Sequence, residues 1–165
     1  MQHSHDDEDP LGLDVTPDAA SLVHVTVERL FRILKAEMSA VLEARGSSIV
    51  EWRVLLMLRI HGELAQKDLV HEVAMVQAQV SRALASMRKR GLIDARRSML
   101  DRRVTLFRLT PAGATLYRAI APTMAQRKRR LDKALSKTEL EGFIDGARKL
   151  AAVAAPRAGA QRPVF

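Results

Sequence analysis

The sequence predicts a mainly α-helical chain carrying one small β-hairpin, and three observations predict it. In residues 76–109, V-Q-A-Q-V-S-R-A-L-A-S-M-R-K-R-G-L-I-D-A-R-R-S-M-L-D-R-R-V-T-L-F-R-L, apolar residues recur at spacings of three and four. They run into a glycine and give way to two short extended-looking segments around a polar turn. Residues 18–45 and 111–155 carry long amphipathic patterns with more apolar surface than a small hairpin-bearing unit can cover. A length of 165 residues with 47% hydrophobic content makes one domain of ordinary size, able to bury a core.

Residues 1–17 mix His3 and His5 with an acidic run and two prolines, and read as a disordered acidic tail. The H-S-H-D-D cluster has metal-ligand chemistry, but nothing rigid fixes its geometry, so a flexible tail is the reading. From 18 to 45, Val23, Val27, Leu30, Leu34, Met38 and Val41 step by three and four, which predicts one long amphipathic helix. Leu22, Phe31, Ile33 and Leu42 lie off that stripe. A helix with two apolar faces needs two things to pack on, its own core and a partner chain. Gly46-Ser47-Ser48 then breaks the chain and offers an N-cap to a helix over 49–60, with Trp52 and Leu56 on one face and Leu55 and Leu58 beside it. His61-Gly62 ends that helix. A short connection containing Leu64 leads to a third helix, Gln66–Val73, with Leu69, Val70 and Val73 inward.

Ala74-Met75 turns into the central helix, where Val76, Val80, Ala83, Leu84 and Met87 share one face. Ala78, Arg82, Ala85 and Lys89 point the other way, flanked by Gln79, Ser81 and Ser86. Gly91 stops the helix. A helix, a short turn and a second helix with an exposed polar face make the helix-turn-helix plan. Residues 93–97 and 103–109 form the hairpin, a wing beside the helix, with Thr105, Phe107 and Leu109 alternating against Val104, Leu106 and Arg108.

Thr110-Pro111 opens a helix through Leu116, Tyr117, Ile120, Met124 and Leu131, with proline at the position where its missing N–H costs nothing and a kink expected at Pro122. Ser136-Lys137-Thr138-Glu139 fits a capping box for a last helix whose apolar side is Leu140, Phe143, Ile144, Ala147, Leu150 and Ala151. The organisation is therefore an acidic tail over 1–17, a dimerisation helix over 18–45 and a winged helix-turn-helix unit over 46–110. C-terminal dimerisation helices over 111–155 and a flexible tail over 156–165 complete it.

Charge narrows the function. Net charge is +8, but residues 81–130 hold 14 Lys and Arg against only Asp94 and Asp101, while residues 1–18 hold six acids and no Lys or Arg. A basic middle on a helix-plus-hairpin pattern points to a polyanion, and a slim helix beside an arginine-tipped hairpin suits a DNA groove and its flanking phosphates. The chain lacks cysteine, which excludes disulfides, thiolate metal sites and thiol redox chemistry. No apolar run reaches the ~18 residues of a membrane span, and the acidic N-terminus is wrong for a signal peptide, so a cytoplasmic protein is expected.

The residues resemble the multiple antibiotic resistance regulator (MarR) family of bacterial winged helix-turn-helix proteins over roughly 19–155. The most specific elements are E-W-R-V-L (51–55), V-S-R-A-L (80–84), R-K-R-G-L-I (88–93) and D-R-R-V-T-L-F-R-L-T-P-A-G (101–113), in order and with compatible spacing. The resemblance implies a homodimer with interlocked terminal helices, on a palindromic stretch of double-stranded DNA. Each recognition helix would enter a major groove and each wing a minor groove. It also implies a repressor of transcription released by a small aromatic acid. Carried over residue by residue, the DNA contacts are Gln77, Ala78, Gln79, Ser81, Arg82, Ser86 and Lys89 on the helix. On the wing they are Arg97, Arg102, Arg103 and Asp101, the acid bracing an arginine. Two positions depart from the pattern. Val76 stands where many members cap the recognition helix with aspartate, and Ala65 where many open the preceding helix with Ser or Thr.

Each of these has a plainer reading. Arg82 and Lys89 alone would be a solvated helix face, but they accompany Arg96, Arg97, Arg102 and Arg103, which repel one another unless acids or phosphates partner them. Asp101 can partner one. Arg127-Lys128-Arg129-Arg130 reads equally as a phosphate contact or a solvated stretch. Trp52, the only tryptophan, reads first as core. The family's effector pocket, between the dimer helices and the winged unit, would draw on His24, Arg45 and Trp52 to stack on a ring and pair a carboxylate. His61 and His71 lack metal-ligand spacing. No Ser/His/Asp constellation, phosphate-cradling glycine loop or carboxylate cluster supports an enzyme, and no cofactor is implied. The expected function is sequence-specific DNA binding that regulates transcription. A ligand-independent architectural DNA-binding protein and a helical module with an RNA-binding basic face are the other readings.

Overall fold

The computed structural model describes residues 9–11 and 19–155; the metal reading of His3 and His5 and the tail over 156–165 lie outside them. The chain divides into two units at Gly46. The first is built on helix α1, Ala19–Glu43. Its Val23, Val27, Phe31 and Ile33 stand exposed, Phe31 to 63%. Gly46, at φ 65°, closes it by donating its N–H to the Glu43 carbonyl.

The second unit begins with helix α2, Ile49–His61. Strand β1 (Glu63–Ala65) and helices α3 (Gln66–Val73) and α4 (Gln77–Lys89) follow. Strands β2 (Ile93–Arg97) and β3 (Thr105–Leu109) then lead to helices α5 (Pro111–Lys133) and α6 (Lys137–Ala154). The three strands form an antiparallel sheet in the order β1-β3-β2, with Leu64 opposite Phe107 and Ala95 opposite Phe107 on the other side. Helix α2 packs against α3, α4, α5 and β3. The core is Val54, Leu55, Leu58, Leu69, Val73, Val80, Leu84, Met87, Ile93, Phe107 and Ile120. In α4 the buried residues are Val80, Ala83, Leu84 and Met87, as the spacing predicts, whereas Val76, expected on the same face, is the N-cap residue and stands exposed.

Local chemistry explains the element ends. Ser48 caps α2 in a reciprocal capping box with Glu51, and Ser136 caps α6 with Glu139. Helix α4 ends in a Schellman motif: Leu92 N–H bonds the Met87 carbonyl and Gly91 N–H the Arg88 carbonyl, with Gly91 at φ 68°. Ala65 and Val76 cap α3 and α4 with no side-chain bond, as the two departures imply. Helix α5 continues past Pro122.

Two expectations need correcting. The connection containing Leu64 is strand β1, whose pairing partner lies more than forty residues on, too short and too non-local to leave a period. The second hairpin strand begins at Thr105, because Val104 N–H bonds the Asp101 carbonyl and holds 101–104 as a turn.

The T-P-A-G segment docks α5 onto the end of α4. Thr110 N–H donates to the Leu92 carbonyl (3.1 Å), its hydroxyl donates to the Gly91 carbonyl (2.7 Å), and the same hydroxyl oxygen accepts from Gly113 N–H (3.1 Å). A Cβ on Gly113 would lie 2.0 Å from the Leu92 carbonyl oxygen, so only glycine fits. Gly113→Ala should therefore cost about 1–3 kcal/mol in urea unfolding, the usual scale of overpacking. Gly142→Ala on α6, where nothing lies within 4 Å, should be neutral or stabilising by up to about 1 kcal/mol. Equal effects at the two sites would contradict the docking.

Candidate nucleic-acid interface

The turn between α3 and α4 is made by Ala74 in the left-handed region, φ 48°, and its N–H bonds the His71 carbonyl. This turn sends α4 outward with Gln77, Ala78, Gln79, Ser81, Arg82, Ala85, Ser86 and Lys89 all exposed. Arg82 Nε rests on the carbonyl of Ala78, one turn back (3.3 Å). The outer face thus presents amides, hydroxyls and cations on a helix whose inner face is wholly apolar. Small residues at Ala78 and Ala85 leave it slim enough for close approach to a groove.

Three consecutive residues of α2 hold this helix-turn-helix in place. Glu51, nine-tenths buried, accepts from the Ser86 hydroxyl (3.1 Å) and from Arg90 Nη1 (3.0 and 3.1 Å), both from the last turn and cap of α4. It also accepts from Ser48 N–H (3.2 Å). Trp52 is buried and stacks on Tyr117 of α5, ring centres 5.5 Å apart and planes 7° from parallel. Arg53 Nη1 donates to the Val73 carbonyl at the end of α3 (2.8 Å). Sequence reasoning noticed the E-W-R motif but missed the roles of Glu51, Arg53 and Arg90. The only signal was a carboxylate and a guanidinium flanking a tryptophan in an otherwise apolar helix. Ser86, expected on the DNA face, spends its hydroxyl hydrogen on Glu51.

On the wing, Arg96 makes a two-pronged pair with Glu63 of β1, Nε to Oε1 at 2.9 Å, with Nη2 on Oε2. Asp94 and Arg108, cross-strand neighbours, approach to 3.8 Å. The hydrogen bond from Arg96 holds the Glu63 carboxyl below its ordinary range; desolvation opposes it, and the charges of Arg96 and Arg108 add to the lowering. The pair's contribution is therefore present at neutral pH and lost as pH falls through the folded value. Arg97 Nη1 donates to Thr105 Oγ1 (3.1 Å) and to the Arg103 carbonyl (3.4 Å). Asp101 does meet Arg103, but through the backbone: its Oδ1 accepts from the Arg103 N–H (2.9 Å) and leaves the guanidinium to other partners. In a loop this short the N–H two residues on is the nearer donor. It is Glu63 that partners a wing arginine. Arg102 and Arg103 stand exposed at the turn.

Of the expected effector residues, His24 is exposed on α1 beside Glu28, Arg45 is exposed just after α1, and Trp52 lies in the core of the second unit. That unit also carries an open groove of about 700 Å³ lined by Leu58, Leu109, Ala114 and Tyr117 with Arg59, Arg108, Arg118 and Glu63. Tyr117 therefore joins this groove to Trp52. Among the described residues no group of three or more His, Asp or Glu could hold a metal ion, and no helix is long and apolar enough to cross a membrane.

Residues 46–104 match the model of the MarR family. The chain is 22% identical over 107 residues to the HTH-type transcriptional regulator FarR of Neisseria gonorrhoeae, covering 65% of this chain and 73% of the relative. Its fold is similar to that of Sco3205, a MarR family transcriptional regulator from Streptomyces coelicolor solved in complex with DNA. There the TM-score is 0.76 at 20% identity, covering 87% of this chain and 91% of the other. It is also similar to Bordetella bronchiseptica BpsR, whose DNA binding is regulated by 6-hydroxynicotinic acid, with TM-score 0.60, 25% identity and 76% and 98% coverage.

The Glu51 cluster makes an ordered prediction. Arg90→Ala leaves a buried carboxylate short of its cation, whereas Glu51→Gln leaves a guanidinium that is 39% exposed and can be hydrated. Urea unfolding should show the larger loss for Arg90→Ala, with Glu51→Gln costing about 1.5–3 kcal/mol. The reverse order would mean that the carboxylate is not the desolvated member.

Proposed function

We propose that this chain, whose winged helix-turn-helix is that of the MarR family, is a homodimeric repressor of transcription that binds a palindromic operator and is released by a small aromatic carboxylate. The observation that carries the reading is the outer face of α4 beside the wing. Gln77, Gln79, Ser81, Arg82 and Lys89 are exposed on a helix that buries its whole apolar face, and Arg102 and Arg103 stand exposed on the hairpin that follows. Arg82 is suited to the base edges of a major groove. The wing arginines are suited to phosphates and to the negative potential of a minor groove.

Dimerisation is supported by unburied apolar surface. No residue of α6 is buried, and Leu140, Phe143, Ile144 and Leu150 are exposed, as are Val23, Val27 and Phe31 on α1. Covering these stripes with a second copy, through 18–45 and 111–155, removes them from water and produces the two-fold symmetry a palindrome requires. For the ligand, the groove at Tyr117 offers an aromatic wall with three arginines, which fits a ring bearing a carboxylate. Its stack on Trp52 would make the tryptophan a reporter of occupancy. Effector and operator must then weaken each other equally, a hundredfold effect corresponding to about 2.7 kcal/mol of coupling.

Light scattering at low micromolar concentration should give about twice the 18.3 kDa chain mass. On an operator selected from random duplexes, Arg82→Ala should cost about 1–3 kcal/mol and relax sequence preference. An Arg102→Ala/Arg103→Ala variant should weaken binding to all duplexes and flatten the salt slope. A monomer, or an Arg82→Ala variant with unchanged affinity and preference, would overturn the reading. A preference for operator over bulk DNA below about 10³ would favour the architectural alternative.

A further inference from the structure

The tip of the wing is built around two apolar residues that nothing in the fold uses. Met99 is 90% exposed and Leu100 is 100% exposed, the most exposed large apolar residues in the described chain. A turn of this length is satisfied by polar residues, and here Ser98 and Asp101 supply that chemistry. Ser98 Oγ accepts from Leu100 N–H (3.2 Å) and Asp101 N–H (3.4 Å), and Ser98 N–H bonds the Val104 carbonyl (2.9 Å). Asp101 in turn takes the N–H of Arg103. The backbone of the tip is therefore tied inward at both shoulders while its two aliphatic side chains project outward. Leaving large apolar side chains in water forgoes the stabilisation their burial would return, so the pair is not explained by stability.

We propose that Met99 and Leu100 form an apolar wedge that enters the minor groove beside the recognition site and partly unstacks one base step, so that the chain bends the DNA it binds. The inference rests on the DNA-binding reading above. Aliphatic side chains inserted between base steps kink a duplex by about 20–90°, and the unstacking is offset by the protein surface that the bent DNA reaches. The flanking residues fit this occupant. Arg102 and Arg103 follow the pair beyond Asp101, whose carboxylate is turned onto the Arg103 N–H, and Arg97 precedes it beyond Ser98, so cations for the phosphates stand on either side of the wedge. Because the tip is already tied by its own hydrogen bonds, little ordering is left for the binding step. A flexible pyrimidine–purine step is the sequence that yields most easily, which would give the wing a preference without a hydrogen bond to any base edge.

The test uses the full chain and an operator selected from random duplexes, with a donor and an acceptor dye on the two duplex ends. Wild-type protein should shorten the end-to-end distance by an amount corresponding to a bend of at least about 20°. Met99→Ser/Leu100→Ser changes only solvent-exposed side chains. It should keep its helical circular dichroism and its major-groove protection, bind about tenfold more weakly, return the duplex to near straight, and lose any preference for a pyrimidine–purine step under the wing. Equal bending by both proteins, or no bending by either, overturns the wedge while leaving the regulator reading in place. So does a double variant that bends DNA normally but no longer co-sediments with phosphatidylserine vesicles, which would make the tip a lipid contact. A wild-type chain that selects no duplex overturns both.

Discussion

The first turn of α2 is the constraint on which the rest depends. Glu51, Trp52 and Arg53 leave the helix about 100° apart, and each ends on a different element: α4 through Ser86 and Arg90, α5 through Tyr117, and α3 through the Val73 carbonyl. Apolar packing alone would let α4 rotate or slide by fractions of a turn at small cost, since one aliphatic contact resembles the next. A carboxylate with fixed partners does not allow this. It holds the outer face of α4 at one angle, and the proposed readout of base edges requires that angle. Trp52 then ties the same turn to α5, and Thr110 and Gly113 tie α5 to the end of α4. The helix-turn-helix is closed at both ends.

The same arrangement would carry the effect of the proposed ligand to the outer face of α4. The groove proposed for the ligand has Tyr117 in its wall, and Tyr117 stacks on Trp52, the residue between Glu51 and Arg53. Displacing that ring moves the turn that positions α4. The groove also contains Arg108 and Glu63, which pair with Asp94 and Arg96 of the wing. An anion that drew Arg108 toward itself would compete with its pair to Asp94. Both routes are short: the first runs through Trp52 in the core and the second along the wing. A ligand acts only by its difference in affinity between the two arrangements.

What was legible in the sequence is what is local. The N-cap offered by Gly46-Ser47-Ser48, the capping box at Ser136, the glycine stop at Gly91, proline at the start of α5 and the three-four period of α4 are all set within a few residues, and they place the helices almost to their ends. What was not legible is what reaches across the fold. Strand β1 has three residues and a partner supplied by β3. Glu51 meets Ser86 and Arg90 at separations of 35 and 39 residues, and Arg53 meets Val73 at 20. No period encodes such contacts. The exposed set on α4 was readable from spacing, whereas the division of labour among the wing arginines was not. It depends on which acid a strand register brings close, and the register favours Glu63 over Asp101.

The central claim is that two copies of this α4 and wing address one duplex. Hydroxyl-radical protection of the selected operator tests it most directly. The account predicts two protected stretches on each strand, related by a two-fold axis, with centres about 10–10.5 base pairs or a multiple of that apart. A single protected stretch, or a ladder of weak protection spread evenly along the fragment, would contradict it.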